Sequence, residues 1–213
     1  MTVMPMFPLG SVLMPAMPMP LRIFEPRYLK LLGDLLGSDN PQFGVVLIER
    51  GLEVGGGEKR MALGTIASVT NIGTTEEFYG LESVGTQRFK VTTWLPDDPY
   101  PLAVIEIIPD LVWDEQLLAS KQKLETKVRQ VLAFASEFAN LQFGADTELS
   151  DDPMEACWQL AGILPIGELD QMDLLSSTSA EELISRTFEI VTTADQTLRD
   201  IMTQQGELED PSL

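Results

Sequence analysis

The chain has 213 residues, 44% hydrophobic and 22% charged, which describes a folded chain of one large or two small domains and not a disordered one. Its net charge of −19 is uneven: residues 1–113 hold eight Lys and Arg against thirteen Asp and Glu, and residues 114–213 hold six against twenty. The basic stripe that nucleic acid or an anionic membrane requires is missing, and zero histidines with a single cysteine exclude Ser-His-Asp and Cys-His catalysis, imidazole metal sites and an internal disulfide.

The first segment, MPMFPLGSVLMPAMPMPLRIFEPRY over residues 4–28, carries proline at 5, 8, 15, 18, 20 and 26. Proline fixes φ and disfavours a helical residue before it, so residues 3–21 must be extended. Extended apolar segments with proline are edge strands or strand ends. This predicts a strand over Val3–Phe7, a turn at Pro8–Gly10 and a second extended segment reaching Phe24. Pro26 suits a first helical turn, and Tyr28, Leu31, Leu32 and Leu35 follow at helical spacing before Gly37. A short amphipathic helix results, with one face to cover.

From Phe43 the pattern is β: FGVVLIE, RMALGTIASVTNI, EEFYGLESV, QRFKVTTWL and PLAVIEII, punctuated by Gly and Asn turns. Phe89, Val91 and Thr93 are expected on one face with Lys90 and Thr92 on the other, and Ala103, Ile105 and Ile107 likewise alternate with their neighbours. Roughly six strands and one helix favour a closed or nearly closed barrel, because closure removes exposed edges.

After Pro109 the pattern is helical. Leu117, Leu124, Val128, Val131, Ala135 and Phe138 mark a helix running from Asp114 towards Leu141, and Asp151-Asp152-Pro153 opens a second through Leu160. A short helix over Glu168–Ser176 follows the break at Leu164–Gly167, and a capping box at Thr178–Glu181 opens the last. The expected organisation is a barrel over 1–110, a helical part over 111–205 and a flexible acidic tail over 206–213. No stretch approaches the ~20 apolar residues of a membrane span. Residues 2–21 lack the basic region and unbroken apolar helix of a secretory signal. One cysteine suits a reducing compartment, and the expected location is cytoplasmic.

MFPLGSVLMPAMPMPLRIFEPRYLKLL resembles the opening of the Lon protease N-terminal, substrate-binding domain, whose pattern runs F-P-L, V-L-x-P, an apolar-Pro-Leu step and I-F-E-P-R-Y. FGVVLI at 43–48, LGTIASV at 63–69, GTQRFKV at 85–91 and LPIGELDQMDLLSSTSAEELISR at 164–186 follow in the order that family uses. The resemblance implies an α+β fold: a PUA-like, mostly antiparallel β-barrel with one short helix, followed by a C-terminal helical bundle. It also implies a role in holding polypeptides and not in cutting them. No stretch resembles the ATPase or Ser–Lys protease parts of Lon. In GLEVGGGE, residues 51–58, Gly57 and Glu58 stand where a phosphate loop needs Lys and Ser or Thr. The expectation is a free-standing, non-enzymatic member without cofactor or metal.

The partners expected on that basis are unfolded or hydrophobic polypeptide segments, or a protein such as a protease or chaperone, with no nucleic acid and no membrane. The candidate peptide contacts are Met17, Met19, Glu25, Arg27, Tyr28, Tyr79 and Trp94. Methionine repacks easily against varied partners, whereas Met14, Met17 and Met19 as Cu(I) ligands lack a nearby His or Cys. Glu25, Arg27 and Tyr28 carry two readings. One is structural, with Glu25 at the helix dipole, Arg27 on a carboxylate or carbonyl and Tyr28 packed beneath. The other has them lining a groove beside the barrel mouth. Tyr79 and Trp94, with Phe78 and Tyr100, are either core or an exposed aromatic ledge. Asp97-Asp98 and Asp151-Asp152 each precede proline, which marks a turn or helix start and not an acid/base pair. Cys157, among Ala156, Trp158 and Leu160, reads as a core thiol. The alternative function is a small-molecule-sensing PUA-like domain.

Overall fold

The computed structural model describes residues 2–51, 53, 57–74 and 78–209, with side chains described as far as Asp200. Six strands come first, interrupted by one helix: β1 (Thr2–Leu9), β2 (Pro18–Ile23), α1 (Pro26–Leu36), β3 (Gln42–Arg50), β4 (Lys59–Thr74), β5 (Tyr79–Leu95) and β6 (Leu102–Ile107). A 3-10 turn at Glu115–Leu117 leads into α2 (Leu118–Ser136), α3 (Pro153–Gly162), α4 (Glu168–Leu175) and α5 (Ala180–Glu209). The fold is thus α+β, with helices toward the C-terminus. The chain forms two compact units, Met1–Asp110 with Gln171–Ser176, and Leu111–Asp170 with Ser177–Leu213.

In the first unit the strands run β2-β5-β4-β3-β1-β6, and β6 also pairs with β5. That second pairing closes β5, β4, β3, β1 and β6 into a barrel and leaves β2 as an extension along the first half of β5. The length of β5 makes this work: Tyr79–Val84 pairs with β2 and Phe89–Leu95 with β6. Every pairing is antiparallel except β1 with β3. Strand β1 changes neighbour halfway, with Thr2–Pro5 beside β6 and Met6–Leu9 beside β3. Each proline-bearing stretch therefore has a strand on one side only, where a missing N–H is tolerated. The turn expected at Pro8–Gly10 starts only after Leu9, because Pro8 and Leu9 pair with Val46 and Leu47.

The barrel interior is filled by Met4, Met6, Val46, Ile66, Phe89, Val91, Ala103 and Ile105. Phe89 is fully buried, and its ring takes space that two glycines leave open. A Cβ on Gly44 or on Gly64 would lie 2.8 Å from the ring. Large and small residues on facing strands thus interdigitate, as close packing demands. The β5–β6 register shifts between Val91 and Thr93, a bulge that reverses the alternation. Thr93, expected beside Phe89 and Val91, is exposed, and Trp94 packs on the core instead. Ile107 is also exposed.

In the second unit α2 buries Leu124, Val128, Val131, Leu132 and Ala135. It stops at Ser136, short of the expected Leu141. Beyond it Arg129 donates to the carbonyls of Ala145 and Thr147, which holds the following stretch as a loop. Asp152 caps α3 by accepting from the Met154 and Glu155 N–H groups. The cap of α5 lies one residue later than expected: Ser179 Oγ accepts from Glu182 N–H, while the Glu182 carboxylate takes the Thr178 N–H and hydroxyl. Residues 171–176, read from sequence with the helical half, belong to the first unit, where the Leu175 carbonyl accepts from buried Arg88 at 2.8 Å. Helix α5 continues to Glu209, and residues 210–213 of the expected tail lie outside the described residues. Among the described residues no helix is long and apolar enough to cross a membrane.

Candidate functional site

Pro26 at the first helical position, with extended Glu25 (φ −72°, ψ 136°) as its cap, turns the chain sharply out of β2 into α1. Glu25 makes no side-chain cap bond. Its carboxylate instead accepts from Arg27 Nε at 3.2 Å, and Arg27 Nη2 donates to the Glu53 carbonyl at 3.1 Å. The Glu53 carboxylate in turn accepts from the Gly10 N–H. A charge-assisted chain thereby ties the end of β1, the loop after β3 and the start of α1 to one another.

Beneath it lies Tyr28, 3% exposed. The Arg27 guanidinium sits 4.5 Å over its ring, and the ring stacks on Phe7. The Tyr28 hydroxyl has no hydrogen-bond partner among the described residues. Burial pushes its pKa up to about 12, Arg27 opposing and Glu58 and Glu25 adding to the rise.

Between the end of β1 and β2 lies a cleft of ≈ 260 Å³, lined by Phe7, Pro8 and Leu9 on one wall, Pro20–Phe24 on the other, and Glu25, Tyr28 and Glu53 at the helix side. Among the described residues its walls are strand sides with no strand neighbour: Phe7–Leu9 pairs only with β3, and β2 only with β5. Phe24 is 57% exposed beside the buried Ile23. In extended chain successive side chains point to opposite faces, so Ile23 inside places Phe24 outside.

Of the seven candidate contacts, the structure brings Glu25 and Tyr28 into this cleft and makes Arg27 the brace above Tyr28. Tyr79 is 43% exposed and pairs with Ile23 at the end of β2. The other three lie elsewhere. Met17 and Met19 are buried, not surface contacts. Gly85 N–H donates to the Met17 carbonyl at 2.9 Å and Ser83 Oγ to the Met19 carbonyl at 3.0 Å, which draws the methionine segment onto β5. Trp94 packs on the barrel core with the Arg60 guanidinium 4.9 Å over its ring. Phe7, Leu21, Phe24 and Glu53 escaped the sequence reading. Only Phe24 left a signal there, as the neighbour of Ile23 in extended chain.

Three of the remaining sequence candidates, Asp97, Asp152 and Tyr100, have structural partners. Asp97 chelates Arg60, Asp152 caps α3, and the Tyr100 hydroxyl donates to Asp34 at 2.8 Å. Cys157 is fully buried and its thiol pKa is raised to about 11, chiefly by burial. Among the described residues no cluster of three or more His, Cys, Asp or Glu is placed to hold a metal.

The family model of the ATP-dependent protease La (LON) substrate-binding domain matches residues 3–193. Lon protease 2 of Sorangium cellulosum is 34% identical over 133 residues, which is 60% of this chain but 16% of that protease. Among solved structures, a Lon N-terminal domain protein from Xanthomonas campestris aligns with a TM-score of 0.61 at 24% identity, over 91% of this chain and 98% of that one. The N-terminal domain of the Mycobacterium avium complex Lon protease aligns with a TM-score of 0.64 at 11% identity, over 92% and 98%. At those identities the structural likeness speaks to the fold.

Proposed function

Because the chain belongs to the ATP-dependent protease La (LON) substrate-binding domain family, we propose that it binds unfolded or hydrophobic polypeptide segments without cutting them, as an adaptor or chaperone-like factor in protein quality control. The observation that carries this reading is the cleft between β1 and β2. It combines a mostly apolar lining that also holds Arg22, Glu25 and Glu53, an exposed Phe24 and, among the described residues, two strand sides without a strand neighbour. An extended segment laid there offers alternate side chains to the lining, and its main-chain N–H groups meet carbonyl acceptors on sides where Pro8, Pro18 and Pro20 have no N–H to donate. A cleft of ≈ 260 Å³ takes few side chains, so selectivity for any one sequence is low. Ordering a flexible segment also consumes part of the contact energy, which keeps affinity modest. A cytoplasmic location and a protease or chaperone as the receiving partner belong to the same proposal. The small-molecule alternative draws no support from the matched family.

The test is fluorescence anisotropy with apolar unstructured peptides and polar scrambles of them. Apolar peptides are expected to bind preferentially, and Phe24→Asp to weaken them by about tenfold or more while leaving thermal unfolding unchanged, because Phe24 is more than half exposed. Equal binding to wild type and variant removes the cleft as the site. No preference for apolar peptides over scrambles removes the polypeptide-binding role.

A further inference from the structure

A second groove, of ≈ 340 Å³, lies within the helical unit between the start of α2 and the first third of α5. Glu181, Ile184, Phe188 and Glu189 form one stripe of α5, at the spacing of a single helix face. Leu117 and Lys123 stand on the facing wall. The floor is apolar, with Ile184 buried and Phe188 38% exposed. Glu181 and Glu189 are exposed at either end of the stripe, eight residues or about 12 Å apart along the helix.

The charge surrounding this groove selects its occupant. Residues 114–213 contain six Lys and Arg. Five of them are held by three acids: Lys121 and Arg129 by Glu125, Lys127 and Arg199 by Asp195, and Arg186 by Glu182. Five of the unit's six cations are therefore used internally, and the sixth, Lys123, lines the groove. Glu181 and Glu189 have no ion pair among the described residues. An apolar floor between two uncompensated carboxylates, in a unit with a large acidic excess, complements an apolar anchor flanked by cations. Lys123, on the opposite wall, repels those cations and so orients them toward α5.

We propose that this groove docks a polypeptide segment carrying an apolar residue between two Lys or Arg about 12 Å apart, the span of about eight residues in a helix. The site is separate from the β1–β2 cleft and does not depend on it.

The probes are two fluorescein-labelled helical peptides with the same central Leu-Phe pair, one with lysines about eight positions apart around it and one with glutamates there. The wild-type chain is expected to prefer the lysine peptide by at least tenfold at low salt, with the preference shrinking as ionic strength rises. In the double variant Glu181→Lys/Glu189→Lys the preference reverses, and Phe188→Ala weakens the lysine peptide with helix content retained by circular dichroism. Phe24→Asp leaves this binding unchanged, which separates it from the cleft. The proposal is overturned if neither peptide binds, if both bind equally, if the double variant keeps the wild-type preference, or if Phe24→Asp abolishes binding.

Discussion

The rings of Phe7 and Tyr28 stack with centroids 4.1 Å apart and 24° between their planes, so the first strand and the first turn of α1 share one buried aromatic contact at the cleft. The Tyr28 hydroxyl adds no hydrogen bond among the described residues. Tyr28→Phe keeps the stack and removes a desolvated polar group, so stability at pH 7 is expected to hold or rise by up to about 1 kcal/mol. The pH dependence has a definite sign. The folded pKa of about 12 lies above the ordinary value of 10, so the folded state holds the phenolic proton more tightly. The stabilisation is fully present below pH 10 and is lost as pH rises towards 12. Urea titrations between pH 9 and 11.5 should show wild type losing more stability than Tyr28→Phe. Parallel curves would contradict this.

Arg60 is a hub. It donates to Glu58 Oε1 at 2.8 Å and to Asp97 at 2.6 Å, and its guanidinium lies over Trp94. The Glu58 side chain is 1% exposed, and that of Asp97 is 36% exposed. Arg60→Met leaves Glu58 buried without its partner and is expected to cost about 3–5 kcal/mol. Asp97→Asn removes a solvent-screened contact and is expected to cost under about 1 kcal/mol. Chemical denaturation of both variants measures the difference, and equal losses would refute the assignment.

The segment before β2 is held by a backbone approach that only glycine permits. A Cβ on Gly85 would lie 2.2 Å from the Met14 carbonyl oxygen, and Gly85 exchanges hydrogen bonds with Ala16 and Met17. Gly85→Ala is expected to lower stability by about 2–3 kcal/mol by displacing that segment. Ala16 itself stands at φ 60°, the left-handed region that penalises a Cβ. Ala16→Gly is therefore expected to raise stability by about 0.5–1 kcal/mol. Thermal unfolding of the two variants should move in opposite directions.

Cys157 is expected to resist thiol reagents in the folded chain. It is fully buried, and its pKa, raised to about 11, leaves little thiolate at neutral pH. A chromogenic disulfide reagent should titrate one thiol in denaturant and almost none without it, and fast labelling of native protein would exclude a buried site.

Local patterns were legible wherever one residue's chemistry decides the backbone. Proline forced the first two strands, Pro26 and the leucine spacing placed α1, and glycines spaced the remaining β segments. The cleft was legible only in part. Glu25, Arg27 and Tyr28 stood out as a motif, but Phe7, Leu21 and Glu53 come from strands and loops far apart in the chain and left no local mark. Met17, Met19 and Trp94 were misplaced for a related reason: whether an apolar side chain in extended chain faces core or solvent depends on register. The bulge after Val91 swaps Thr93 for Trp94, and bonds to β5 draw the methionines inward.

Sequence alone settled the element types and ruled out imidazole chemistry, because those follow from backbone restrictions, short-range spacing and residue inventory, while the family kinship was carried by the resemblance of the IFEPRY motif and its neighbours. Tertiary structure alone decided that β6 closes the ring between β1 and β5, that β1 and β2 leave a cleft between sides without a strand neighbour among the described residues, and that Lys127 of α2 pairs with Asp195 of α5. Those are pairings between distant residues, and they depend on which surfaces meet once the chain has folded.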